Sequence, residues 1–129
     1  MAVVDESGVI KEFKRMDSAP LVSVHTAIKK AYAAAAIGMP PDDFFTVIQS
    51  DQAAVASFAH HPRLNFVAGG LPVVVAGEVA GAVGVAGAMT GMEDRRIAEV
   101  AVYRAGAEVT GQDGYGDHTS EAEGAAPVM

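Results

Sequence analysis

Two short stretches rich in apolar residues open the chain, and the pattern then changes to a helical period. Residues 2–4 and 9–13 are strand-like and flank the sequence Asp5-Glu6-Ser7-Gly8. In such a turn an aspartate can accept hydrogen bonds from nearby backbone, and a glycine can take a positive φ. The pattern predicts a β-hairpin.

Two helices are predicted next. From Pro20 the apolar positions recur with the period of a helix, and Gly38 follows the last of them. A second helix is predicted from Asp42 to about Phe58, because acidic side chains in a first turn suit the positive end of the helix dipole.

Residues 64–89 carry one charge in 26 residues, so a membrane span has to be weighed. Pro72 and Gly77 interrupt this segment at strand-length intervals, and β-branched valine recurs through it. We therefore expect three short strands, with a hairpin turning near Gly77. After Gly91 the period is again helical and ends at Gly106.

The predicted order is two strands, two helices, three strands and one helix. A doubly wound parallel sheet needs strands and helices in alternation, so this order excludes it. The expected fold class is α+β, with a five-stranded antiparallel sheet flanked by helices.

Composition adds constraints on the core. Half of the 129 residues are apolar, which fits one domain with a real core, but alanine and valine dominate among them. Six glycines between residues 69 and 87 add to this bias, so we expect the core to form by close approach of backbones. The absence of cysteine excludes disulfides, thiolate metal sites and thiol nucleophiles.

The formal charge of −7 is concentrated at one end of the chain. Residues 108–129 contain five acidic side chains and no lysine or arginine, whereas residues 1–107 contain eleven acids and nine bases. We predict a near-neutral domain over residues 1–107 and an acidic, glycine-rich, flexible tail over residues 108–129. No basic patch suits a nucleic-acid backbone. Acidic residues precede any apolar run, so no secretory signal is expected and the predicted location is cytoplasmic.

Cationic residues near the end of the hairpin form one candidate site. Arg15, with Lys29 and Lys30 on the following helix, could clamp a carboxylate or a propionate. A local ion pair between Arg15 and Asp17, or capping of the helix by Asp17, would explain the same residues equally well.

Histidines are the soft ligands available to a metal or haem iron besides methionine. No two of them stand at the spacing of a zinc site. His25 shares a helix face with Lys29 and Tyr32, which also fits a solvated surface. His60 and His61 stand at a helix exit, where cationic imidazoles also suit the helix dipole.

Several segments of the chain resemble the GlcG/HbpS family, which includes the C-terminal domain of PduO. The resemblance covers about residues 2–105. The segments that carry it are residues 2–8 (AVVDESG), 13–19 (FKRMDSA), 27–34 (AIKKAYAA), 69–73 (GGLPV) and 77–87 (GEVAGAVGVAG), with Asp94 and Ala98 in the last helix.

The resemblance implies a five-stranded antiparallel sheet with surrounding helices, in a layout like that of profilin and PAS domains. It also implies homo-oligomers, often octamers, whose genes lie beside catabolic or redox-sensing genes, and some members bind haem or corrinoids. Together with the residue pattern, it places the ligand site at Arg15, Asp17, Lys30, Gly69, Gly70 and Pro72.

This chain departs from the family pattern in four places. Family members usually have a helix before the first strand, whereas this chain starts at the strand. Either that helix is dispensable, or another segment covers the sheet face, with the last helix and the tail as candidates. Ser18 replaces a glycine, Ala33 replaces a threonine and Ala86 replaces a serine.

The leading hypothesis is a small homo-oligomeric protein that binds haem or a related tetrapyrrole. Its cationic side chains would hold the propionates, and His25, His60 or His61 would meet the iron. Its expected partners are copies of itself and a small-molecule ligand, without nucleic acid or membrane.

The alternative hypothesis is an enzyme of small-molecule catabolism. Arg15 would orient a carboxylate or carbonyl group, and Asp17, His25 or Lys30 would move a proton. A third hypothesis is that the chain only stabilises a larger assembly.

Overall fold

A computed structural model describes residues 1–106, which form one antiparallel sheet and four helices. The elements in chain order are β1 (Ala2–Asp5), β2 (Ile10–Phe13), α1 (Val22–Ile37), α2 (Pro41–Ile48), α3 (Gln52–Ala59), β3 (Gly70–Val75), β4 (Glu78–Gly84) and α4 (Gly91–Arg104).

The sheet has the strand order β2-β1-β4-β3. Two hairpins, β1–β2 and β3–β4, meet where β1 pairs with β4, and every pairing is antiparallel. The chain enters the second hairpin only after three helices, so residues far apart in sequence come together at the central strands.

The predicted N-terminal hairpin is confirmed. The Oδ1 atom of Asp5 accepts hydrogen bonds from the backbone N–H groups of Ser7 and Val9, at 2.9 and 3.0 Å. Gly8 takes the positive φ of 80° that the turn requires. These contacts come from the turn residues themselves, which is why the local sequence was sufficient to predict them.

Helix α1 packs on one face of the sheet through small side chains. The predicted helix is confirmed, and its last turn closes where the Gly38 N–H donates to the Ala34 carbonyl. The cluster that it forms with β1 and β4 consists of Ala2, Val4, Ala27, Ala31, Ala34 and Ala82.

Helix α4 packs on the opposite face, against β3 and β4. It also is confirmed, and the Thr90 side chain caps it by accepting the N–H of Glu93 at 3.2 Å. The expectation that this helix or the tail takes the place of the family's first helix stays a prediction. The second core cluster consists of Leu71, Val83, Val85, Ala98 and Val102.

The sheet has four strands rather than the five that were predicted. Residues 64–89 contain two strands, because the segment 64–69 runs as a loop before β3. The Asn65 side chain accepts the N–H of Val67 at 2.9 Å, and such a local bond competes with a strand ladder. The predicted hairpin near Gly77 is confirmed, with a turn at Ala76 and Gly77.

The single helix predicted from Asp42 to about Phe58 is also wrong, since α2 and α3 are separate. Asp51 lies between them in extended conformation, and its side chain accepts the N–H of Ala54 at 3.1 Å. An N-cap of this kind starts a new helix, so the apolar period continues across a break in the backbone.

None of the helices within residues 1–106 is both long and apolar enough to cross a membrane. The apolar segment 64–89 instead supplies one central strand of the sheet, β4, and one edge strand, β3. The predicted tail, residues 108–129, lies outside the described residues.

Candidate functional site

A polar cleft opens between α1, the connection from β4 to α4, and the first turn of α4. Its volume is about 290 Å³, close to the lower end of the range for small-molecule pockets. Among its lining residues are Ser23, Lys30, Ala86, Gly87, Thr90 and Asp94.

A buried ion pair forms the floor of this polar cleft. The Lys30 ammonium donates to the Oδ2 atom of Asp94 at 3.1 Å and to the Val85 carbonyl at 2.9 Å. The other carboxylate oxygen of Asp94 accepts the N–H of Ala88 at 3.0 Å. The side chains of Lys30 and Asp94 are 1% and 6% exposed, so two opposite charges are held out of water by mutual contact and backbone groups.

Two glycines make room for this pair. A Cβ on Gly69 would lie 2.4 Å from the Val85 carbonyl oxygen and 2.8 Å from the Lys30 Nζ atom, and its φ of +135° also suits glycine. A Cβ on Gly70 would lie 2.5 Å from the Lys30 carbonyl oxygen. The loop that precedes β3 can therefore lie directly against the lysine.

The mouth of the polar cleft is apolar. Val22, Val67 and Met89 line it and are 72%, 52% and 90% exposed. A charged floor beneath an apolar rim suits a ligand that has both a polar and an apolar part.

A second depression, the aromatic groove, lies beside the polar cleft and shares Val67 with it. Its volume is about 390 Å³. Phe44 packs edge-on against Phe58 at 5.2 Å and lies 6.2 Å from Phe66, so the rings brace one another. The groove is lined by Phe45, Phe58, Ala59, Leu64, Asn65, Phe66 and Val67.

His60 and His61 directly follow Ala59, which lines the aromatic groove, and both are exposed. The Nδ1 atom of His61 accepts the backbone N–H of Arg63 at 3.1 Å. Arg63 in turn lies 3.6 Å from the centre of the Tyr32 ring, a cation–π contact that holds this loop against α1.

The structure places the other predicted site residues apart from the cleft floor. Arg15 and Asp17 are exposed in the segment after β2, and Arg15 donates to the Ala19 carbonyl at 3.1 Å. Neither the alternative ion pair between them nor a side-chain cap on α1 is present within residues 1–106. His25 is exposed on α1, and Pro72 is buried within β3.

Lys30, Gly69 and Gly70 are thus brought together, as the sequence predicted, but Arg15 and Asp17 do not join them. The assignment of all these residues to ligand binding stays a prediction. The structure adds Asp94, which sequence reasoning singled out only as part of the resemblance. The signal that could have revealed its role is an acidic residue in the first turn of an otherwise amphipathic helix.

A second buried charged cluster ties α2 to α4, and sequence reasoning missed it. Arg95 donates to Asp42 at 2.7 Å, to Asp43 at 2.8 Å and to Glu99 at 3.2 Å. Burial lowers the pKa of the Arg95 guanidinium, but the hydrogen bonds to Asp43 and Asp42 outweigh it, so the net shift is upward. The guanidinium therefore stays charged and works as a clamp.

No group of three or more His, Cys, Asp or Glu side chains within residues 1–106 is arranged to hold a metal ion. The assignment of His25, His60 and His61 as single ligands to a haem iron stays a prediction.

Comparison with known proteins adds the family. A family model described as "Haem degrading protein HbpS-like" matches residues 1–103. A Citrobacter freundii relative, called an uncharacterized 15.0 kDa protein in the dhaT-dhaS intergenic region, is 33% identical over 102 residues, which are 78% of this chain and 71% of that protein.

Two solved structures extend the comparison. The crystal structure of the Klebsiella pneumoniae protein ORFY is 29% identical with a TM-score of 0.71, over 79% of this chain and 70% of that one. The crystal structure of a PduOC:heme complex is 27% identical with a TM-score of 0.70, over 79% of this chain and 74% of that one.

Proposed function

Because this chain belongs to the HbpS-like family, we propose that it is a small homo-oligomeric protein that binds haem or a related tetrapyrrole. The observation that carries the proposal is the aromatic groove, which ends beside two exposed histidines. A solved relative of the same fold is described as a complex with heme.

The aromatic groove fits the chemistry of a macrocycle face. Phe45, Phe58 and Phe66 offer apolar ring surface, and stacking or edge contacts between aromatic systems add to the burial of apolar area. When bound, haem would supply an iron that accepts an imidazole nitrogen as an axial ligand.

We assign the iron ligand first to His60. A neutral imidazole has one donor and one acceptor nitrogen, and the Nδ1 atom of His61 already accepts the N–H of Arg63. His61 could bind iron through Nε2 only after that bond is broken and the proton moves to Nδ1. His60 makes no side-chain hydrogen bond within residues 1–106, so it has no such cost. His25 is the remaining predicted ligand.

Arg15 is the accessible cation proposed to meet a propionate, because it is exposed and its one hydrogen bond is to a carbonyl. Lys30 is almost fully buried and already donates to Asp94 and Val85. A propionate there would place a second carboxylate beside Asp94, so we expect the propionate contact of Lys30 to be the weaker of the two.

The shape of the aromatic groove supports the proposed homo-oligomer. A shallow groove covers one face of a flat ligand and leaves the other face in water. A second copy of the chain would bury that face, so haem binding and self-association are expected to strengthen each other.

The test is a titration of haemin into the purified protein, followed by its Soret band. We expect a shifted band that saturates near one haemin per chain, a loss of most of the shift in His60→Ala, and a smaller change in His61→Ala. Phe45→Ser should weaken binding because this exposed ring lines the groove. Val47→Ser, on the same helix but outside the groove, should bind haemin as the unmodified protein does.

Absence of a shifted Soret band at stoichiometric haemin would end the proposal. Equal binding by Phe45→Ser and by the unmodified protein would exclude the aromatic groove as the site. Size-exclusion chromatography with and without haemin tests the oligomer, which should be larger or more stable with haemin.

The polar cleft favours a second candidate function, an enzyme of small-molecule catabolism. The supporting observation is that Lys30, one of the predicted proton-transfer residues, lies at the floor of the cleft. Lys30 is paired there with Asp94, and neither Asp17 nor His25 is among the described residues that line the cleft. If Arg15→Ala and Asp17→Ala leave turnover of small carboxylates and carbonyl compounds unchanged, the enzyme in its predicted form is wrong.

A further inference from the structure

We propose that the polar cleft binds a small uncharged molecule that carries a hydrogen-bond acceptor next to a donor, such as a hydroxy-amide or hydroxy-ketone. Its charged floor lies outside the aromatic groove, and Val67 is the one described residue that lines both, so the inference goes beyond haem binding and does not depend on it.

The side chains at the cleft floor have hydrogen-bonding capacity that their present contacts do not use. A lysine ammonium has three N–H donors, and Lys30 uses two of them within the described residues, on Val85 and Asp94. Each oxygen of Asp94 accepts one hydrogen bond, although a carboxylate oxygen can accept two. The floor therefore offers one donor and at least one acceptor side by side.

Both side chains at the cleft floor are deeply buried. Lys30 and Asp94 are almost entirely inaccessible at the side chain, yet both line the cleft. Polar groups at the bottom of a narrow opening lose most of their contact with bulk water, so a ligand that completes their hydrogen bonds gains more than it would at a surface.

The charges of the cleft floor favour an uncharged ligand. Lys30 and Asp94 neutralise each other, and they are the two charged side chains among the described residues that line the cleft. An anionic ligand would place a second negative charge beside the Asp94 carboxylate, and a cationic ligand would place a second positive charge beside the Lys30 ammonium. An uncharged ligand meets neither cost.

The size and shape of the polar cleft limit the ligand to a small molecule. A volume of about 290 Å³ suits a molecule of a few heavy atoms with water around it. Val22, Val67 and Met89 at the mouth can cover a short alkyl group, while the donor and acceptor of the ligand reach the floor.

The experiment is a titration of the full chain with three probes of similar size, followed by amide chemical shifts in NMR. Lactamide is uncharged, lactate is an anion and 1-amino-2-propanol is a cation. We expect saturable shifts of the Gly87 and Ala88 amides with lactamide, and binding of the two charged probes at least about tenfold weaker because a charge is transferred into a poorly hydrated site.

A matched pair of variants locates the site. Thr26 lines the cleft, and its hydroxyl donates to the Val22 carbonyl four residues earlier. Thr46 makes the same bond to Asp42 on α2, outside the cleft. Thr26→Leu should block lactamide while Thr46→Leu leaves its binding unchanged, and both should keep the pattern of the folded protein in the NMR spectrum.

Three results would overturn the proposal. One is the absence of saturable shifts with all three probes in the millimolar range. Another is tighter binding of lactate or 1-amino-2-propanol than of lactamide. The third is unchanged lactamide binding in Thr26→Leu. Haemin titration of Thr26→Leu separates the two sites, because the Soret shift should persist in this variant. Loss of the shift would count against the aromatic groove as the haem site and not against lactamide binding in the polar cleft.

Discussion

Lys30 and Asp94 bring opposite charges into the interior from elements 64 residues apart in sequence. Each charge is tolerable only because the other is present, since breaking a buried pair leaves an uncompensated charge. The pair therefore makes the link between α1 and the first turn of α4 depend on two individual residues.

We predict that Lys30→Met lowers the free energy of unfolding by roughly 3–5 kcal/mol, because Asp94 is left buried and unpaired. The measurement is urea denaturation followed by circular dichroism. Lys29→Met, at an exposed neighbouring position, is the control and should change stability by less than about 0.5 kcal/mol.

The double variant Lys30→Met, Asp94→Asn distinguishes the pair from simple loss of packing. It removes both charges and keeps an acceptor for the Ala88 N–H, so it should be more stable than Lys30→Met alone. A double variant that is less stable than both single variants would contradict the account.

Gly69 is the second residue on which the site depends. We predict that Gly69→Ala lowers the free energy of unfolding by more than about 2 kcal/mol, because an added Cβ would meet the Val85 carbonyl oxygen and the residue would keep a positive φ. Gly77→Ala is the matched control. It has a φ of +79° but nothing within 4 Å of an added Cβ, so only the backbone strain of about 1 kcal/mol should remain.

At the scale of elements, the break between α2 and α3 depends on Asp51. We predict that Asp51→Ala lowers the free energy of unfolding by about 1 kcal/mol, through loss of the cap on the Ala54 N–H. Ser50→Ala, at the exposed residue before it, should have a smaller effect. Equal effects of the two substitutions in thermal or urea denaturation would refute the role given to the cap.

Elements whose ends are fixed by local chemistry could be predicted from the sequence. The first hairpin has its Asp5 and Gly8 turn, and α1 has Gly38 at its end. The region from Asp42 to Phe58 was harder, because the apolar period continues through the break while one side chain, Asp51, ends it. The third strand expected in residues 64–89 failed for a different reason: β-propensity does not supply a partner strand.

At the scale of the whole molecule, Arg95 joins α2 to α4. We predict that Arg95→Met lowers the free energy of unfolding by roughly 3–5 kcal/mol, because Asp42, Asp43 and Glu99 would each lose the buried guanidinium that they contact. Arg95→Lys should rescue only part of this loss, since a lysine cannot contact Asp42, Asp43 and Glu99 in the same planar arrangement.

Lys11→Met, at an exposed position on β2, is the control for Arg95→Met in the same denaturation experiment and should be nearly neutral. Full rescue by Arg95→Lys would mean that charge alone matters and that the geometry of the guanidinium does not.

The candidate site was only half visible in the sequence. Lys30 and the glycines at 69 and 70 could be grouped because the resemblance placed them together, and they do meet. Asp94 could not be paired with Lys30, nor Arg95 with Asp42 and Asp43, because these partners lie 64, 53 and 52 residues earlier and no periodic pattern links them. Arg15 was grouped with them by its charge and by the resemblance, and neither specifies which side chains the fold turns inward.

The close packing of α1 on β4 has a further consequence for how ligand recognition could change. A Cβ on Gly84 would lie 2.1 Å from the Ala27 carbonyl oxygen and 2.5 Å from the Ala31 nitrogen. Any side chain there would push α1 outward and draw the Lys30 ammonium away from Val85, although position 84 does not line the cleft. The position of the Lys30 ammonium in the cleft therefore depends on the residue at position 84. A relative with a larger residue there should select different ligands even if every cleft-lining side chain is the same.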